Sequence, residues 1–126
     1  MAAPTRITRP LLDVLEVFLQ AWQDGGREVY GWTIMKETER SGPTIYGVLD
    51  RLENLEWVTG SWEQDAEPGR PRRRLYQLTP NGRVEAVQLL AERRPTRPGV
   101  RAALAQLGLS RRALAWLRPL THGGAS

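Results

Sequence analysis

Apolar residues fill nearly every position of LLDVLEVFLQAWQ, Leu11 to Gln23, and the exceptions Asp13, Glu16, Gln20 and Gln23 recur at spacings of three and four. On a helix those four form one narrow polar stripe. Thr8 or Arg9 opens the helix, with Pro10 in the first turn, where a proline is tolerated. A helix this apolar must be buried on more than one side. Either a small domain wraps it or it keeps a face for a second subunit, and the second is the expectation adopted for Leu11, Leu15, Phe18, Leu19 and Trp22. DGGRE, Asp24 to Glu28, ends it.

A short helix follows from about Tyr30 to Glu39, with Tyr30, Ile34 and Met35 able to face inward. Ser41 or Gly42 then caps a third helix, Pro43 fits its first turn, and Ile45, Val48, Leu49, Leu52 and Leu55 repeat as one buried face. Two helices joined by a short glycine-containing turn make a helix-turn-helix, whose second helix is the one that enters a DNA major groove. Trp57 to Gln64 and Arg73 to Thr79 read as two strands joined by the turn-like DAEPGRPR. Thr79 caps a fourth helix with Val84, Val87, Leu90 and Ala91 on its apolar side, and Pro95 ends it. Arg94 to Gly99 is a linker before one or two short apolar helices broken near Gly108. The expected class is mainly α with a small β-hairpin, a winged helix-turn-helix with a C-terminal helical dimerisation segment. Residues 8–94 form the DNA-binding domain, 95–120 the dimerising segment, supplying Leu104, Leu107, Leu114, Trp116 and Leu117, and 121–126 a mobile tail.

Charge adds a location to this outline. The 126 residues carry a formal +4, but residues 1–68 hold six bases against twelve acids, and the basic character begins with Arg70, Arg72, Arg73 and Arg74. From Arg93 onward there are seven arginines and no acid. Such a distribution suits a polyanionic partner, although arginine-rich composition also follows from a GC-rich coding sequence. The absence of cysteine removes disulfides and thiolate chemistry. No apolar run reaches the ~20 residues of a membrane span, and the N-terminus lacks a signal-peptide core, so the expected location is the cytoplasm. The single histidine, His122, supports neither a metal site nor a Ser/His/Asp triad. No carboxylate pair stands out for acid–base work, so neither enzyme activity nor a cofactor is expected.

Opposite its apolar face the third helix presents Thr44, Tyr46, Gly47, Asp50, Arg51 and Asn54. Thr44, Tyr46 and Arg51 suit base-edge contacts. Gly47 costs about 1 kcal/mol of helix propensity relative to alanine, which a backbone pressed against DNA would justify; the competing explanations are room for a neighbouring helix or a glycine that is simply tolerated. In GRPRRR, Gly69 to Arg74, alternate arginines can face a phosphate groove while Leu75 and Leu78 face the core. The same arginines could instead hold Glu63, Asp65 and Glu67 across the hairpin. The five tryptophans are too scattered for a stacking platform, and most are expected in the core or an interface.

YGWTIMKET (Tyr30 to Thr38), SGPTIYGVLDRLENLEWV (Ser41 to Val58) and GRPRRRLYQLTPNGR (Gly69 to Arg83) together resemble the PadR family of bacterial winged-helix transcriptional regulators. With the first helix the resemblance covers roughly residues 10–92. It implies a homodimer on double-stranded operator DNA with two related half-sites, usually repressing until relieved by a signal, and a small-molecule effector is compatible with it. By position it implies DNA contacts at Ser41, Thr44, Tyr46, Gly47, Arg70, Arg72 and Arg73. Gly47 stands where the family commonly has proline, and Pro95 and Pro98 interrupt the usual dimerising helix. The competing class is a winged helix that docks on an acidic protein partner.

Overall fold

A computed structural model of the chain describes residues 6–108 except Ala66. Its elements run α1 (Arg9–Gln23), β1 (Val29–Tyr30), α2 (Gly31–Thr38), α3 (Gly42–Asn54), β2 (Val58–Trp62), β3 (Arg74–Leu78), α4 (Pro80–Arg93) and α5 (Pro98–Gln106). Thr8, Ser41 and Thr79 cap α1, α3 and α4, each hydroxyl accepting from a backbone N–H three residues on, with proline in the first turn each time. These hydroxyls satisfy N–H groups that have no partner within the helix.

The sheet has three strands in the order β1-β3-β2, all antiparallel. Strand β1 escapes sequence reading because it is two residues long, too short to show alternation, and Val29 and Tyr30 are fixed only by pairing with Tyr76 and Leu75. On β3 the buried side chains are Tyr76 and Leu78. Leu75, expected to share the core with Leu78, lies three residues away and so falls on the opposite face. Arg74 instead shares the face of Tyr76 and Leu78. Val84, expected on the apolar side of α4, is exposed, and Ala86, Val87, Leu89 and Leu90 make the buried side.

Helix α1 is the centre of the core. Leu11, Leu12, Val14, Leu15, Phe18, Leu19 and Ala21 are all buried within the one chain, against α2, α3, α4, α5 and β3. This corrects the expected subunit face: Leu11, Leu15, Phe18 and Leu19 are covered by their own chain, and Trp22 is half-buried with the Arg83 guanidinium over its ring at 5.6 Å. Leu104 of α5 is also buried and Leu107 packs against the same core. Leu114, Trp116 and Leu117 lie outside the described residues.

The polar stripe of α1 explains how the wrapping closes. Asp13 pairs with Arg40, in the turn before α3, and with Arg94, at the end of α4, both at 2.8 Å. Arg94 also pairs with Glu16, and Gln23 donates to the Gly99 carbonyl at 2.7 Å. Burial alone would raise the Asp13 carboxyl, but hydrogen bonds and charge from Arg94 and Arg40 outweigh it, leaving the group below the usual carboxylate range. A depressed folded-state value means that Asp13 stabilises the fold in full above about pH 4 and loses that contribution as pH falls through the lowered value. Asp13→Asn is therefore expected to cost about 2 kcal/mol at neutral pH, with the gap to the wild type closing towards pH 2. Denaturant titrations of both proteins across that range check it.

Candidate nucleic-acid interface

Helix α3 buries Ile45, Val48, Leu49 and Leu52 and leaves Pro43, Thr44, Tyr46, Gly47, Asp50 and Asn54 exposed. Its start is organised by Ser41, whose hydroxyl accepts from the Thr44 N–H and donates to the Thr44 hydroxyl at 3.0 Å. The Tyr46 ring lies over the start of α2, where Gly31 has no side chain: a Cβ there would stand 2.7 Å from the Tyr46 hydroxyl. Gly47 differs from Gly31. A Cβ built on it meets nothing within 4 Å, so among the described residues no neighbouring element needs the space, which removes room for a neighbouring helix as its explanation. Arg51 is half-buried and its guanidinium donates to the Arg6 carbonyl, which ties it to the segment ahead of α1.

The hairpin places its arginines unequally. Arg70 pairs with Glu63 at 3.0 Å, and Glu63 also accepts from the Tyr30 hydroxyl at 2.9 Å. The hydrogen bond from Arg70, joined by that from Tyr30, holds the Glu63 carboxyl below its ordinary value. Arg74 pairs with Glu53 of α3 at 3.2 Å and packs over the rings of Trp62 and Tyr76. The expected alternative, arginines holding acids of the same hairpin, thus applies to Arg70 through Glu63, while Arg74 reaches across to α3. Arg72 and Arg73 are exposed and make no ion pair among the described residues; Arg73 lies 5.2 Å from the centre of the Tyr30 ring. The turn that carries them uses Gly69 at φ +82°.

Between the start of α2, the exposed side of α3 and the hairpin lies a groove of about 750 Å³. Tyr46, Arg70, Arg72 and Arg73 line it, so the structure brings together four of the eight sequence-expected residues; Ser41, Thr44, Gly47 and Arg51 do not line it. Of the other lining residues, two tryptophans stand out. Trp32 and Trp62, expected among mostly buried tryptophans, are 57% and 56% exposed, whereas Trp57 is in the core. Trp62 shares a strand face with Val58 but sits beyond the last core position, opposite Arg74, a place that only the pairing of β2 with β3 reveals.

Among the described residues no three His, Cys, Asp or Glu side chains cluster to hold a metal ion, and no helix is long and apolar enough to cross a membrane. Comparison with known proteins identifies a family of transcriptional regulators. The family described as "Transcriptional regulator PadR-like family" matches residues 22–88. A probable transcriptional regulator from Pseudomonas aeruginosa is 30% identical over 91% of this chain and 76% of its own, with a TM-score of 0.53. The circadian clock associated protein Pex from Anabaena is 29% identical over 64% of this chain and 70% of its own, with a TM-score of 0.50. The zinc-responsive MarR family member ZitR of Lactococcus lactis, 16% identical over 96% of this chain and 78% of its own with a TM-score of 0.55, shares the fold alone. No curated protein matches. With the family match spanning more than half its length and a winged helix beneath it, the chain belongs to the PadR-like family of transcriptional regulators, DNA-binding proteins rather than enzymes.

Proposed function

We propose that the protein is a cytoplasmic repressor that binds an operator as a homodimer, α3 reading base edges in the major groove and the hairpin arginines holding the adjacent backbone. The observation that carries this reading is the bare, solvent-open backbone at Gly47, on the same exposed face as Thr44 and Tyr46. A helix that needs no space there for its own fold gains from glycine only if something outside comes close. Base contacts made by the first turns of a recognition helix require that approach. Because α1 is already wrapped, pairing of two copies falls to the sequence after α5, where Leu114, Trp116 and Leu117 supply apolar side chains. A small-molecule effector is compatible with this assignment.

Two substitutions separate the fold from the function. Gly47→Ala is expected to stabilise the free protein by up to about 1 kcal/mol, since alanine is the better helix former and meets no neighbour. Gly47→Leu is expected to fold normally and lose selective operator binding while keeping its salt-dependent affinity for unrelated DNA. Thermal unfolding and competition binding read the two effects, and full operator selectivity in the leucine variant would remove the close-approach argument.

A further inference from the structure

Exposed apolar side chains gathered in one place call for something to cover them. Among the described residues the exposed large apolar side chains are Trp32, Tyr46, Trp62 and Val84, and the first three line the groove between α2, α3 and the hairpin. Four arginines line the same groove, but Glu63 and Glu53 already face Arg70 and Arg74, leaving Arg72 and Arg73 as its unpaired charge. Two cations suit one or two phosphates. A phosphate, however, gains nothing from an indole face, so charge alone does not explain the tryptophans. A deoxyribose between its two phosphates has both properties, an apolar ring face and flanking anions. On duplex DNA it presents them without any base leaving the stack.

We propose that Trp32 and Trp62 pack against deoxyribose faces of the bound backbone, making the groove a sugar-phosphate clamp beside the recognition helix. The clamp rests on the DNA-binding reading above and adds a contact of a different kind, one that releases no counterion and reads no base. Trp32 comes from the start of α2 and Trp62 from the end of β2, so the two approach the groove from separate elements. The Lys36 ammonium lies 4.6 Å from the centre of the Trp32 ring, and Arg74 packs on Trp62, which keeps cations at both contacts.

The test is binding of the full chain to an operator duplex and to an unrelated duplex across a salt series. Trp32→Ala and Trp62→Ala are each expected to weaken both about tenfold, the scale of an aromatic contact. The slope of log affinity against log salt should stay at the wild-type value, because no phosphate contact is lost. Trp62→Phe should recover most of the loss, and Val84→Ala, outside the groove, should lose nothing. Both tryptophans are more than half exposed, and thermal unfolding of each variant verifies the fold. Wild-type affinity in both alanine variants would overturn the clamp. So would a loss accompanied by the same fall in slope as in Arg72→Ala with Arg73→Ala, since the tryptophans would then only be supporting the arginines. A wild-type chain that binds neither duplex would remove the functional reading first and the clamp with it, an outcome distinct from failure of the clamp alone.

Discussion

Gly82→Ala is expected to destabilise the fold by about 3 kcal/mol or more, at the upper end of what overpacking a core produces. Gly82 is the third residue of α4, and a Cβ on it would stand 1.9 Å from the Trp57 carbonyl oxygen and within 2.8 Å of two further Trp57 backbone atoms. No side-chain rotation relieves a clash with backbone. Trp57 cannot withdraw either: its carbonyl accepts from the Thr79 N–H at 2.9 Å and its N–H donates to Leu52 at 3.0 Å, joining the end of α3 to the cap of α4. The Gly82 N–H in turn donates to the Thr79 hydroxyl at 2.8 Å. Alanine at this position must therefore separate α4 from the junction of α3 and β2, and with it displace the hairpin. Thermal unfolding should show a fall in Tm of more than about 10 °C, and an unchanged Tm would show that the junction is looser than its hydrogen bonds imply. The same residue change at Gly47, on an open helix face, is expected to have the opposite sign.

The second large effect is on binding. Arg72 and Arg73 are the hairpin arginines that make no ion pair among the described residues, so Arg72→Ala with Arg73→Ala should weaken binding to every DNA sequence by about tenfold or more and reduce the salt slope by about two, one for each phosphate contact. Arg70→Ala and Arg74→Ala are different experiments. Removing either leaves a carboxylate, Glu63 or Glu53, without its arginine at the edge of the groove, so part of any loss would come from exposed negative charge. A double variant with an unchanged slope would take the hairpin out of contact with phosphate.

Much of this was legible along the chain because the signals are local. A hydroxyl cap followed by proline occurs at three helix starts, and the 3, 4, 7 spacing of Ile45, Val48, Leu49 and Leu52 marks the buried face of α3. The turn between α2 and α3 and the strands that follow then leave few alternatives to a winged helix. What escaped was set by partners distant in sequence. Strand β1 exists only because β3 lies beside it. The burial of α1 depends on α4 and α5 returning over it, guided by Arg94 to Asp13 and Glu16 across separations of 81 and 78 residues; composition could say that α1 must be covered, not by which chain. The pairing of Arg70 and Arg74 and the exposure of Trp32 and Trp62 are likewise tertiary facts. The residues proposed to face DNA divide the same way, with Gly47 conspicuous as a glycine inside a helix and the tryptophans indistinguishable from core residues until the fold is known.

Whether α3 reads sequence is tested most directly by selection from a random duplex pool with the wild-type chain. The expected result is enrichment of one pseudo-palindromic motif with half-sites about one helical turn, or a multiple of it, apart, and loss of that motif with the Gly47→Leu variant. Retention of the pool without enrichment of any sequence would contradict it, leaving the arginines as a general hold on DNA and α3 without a sequence to read.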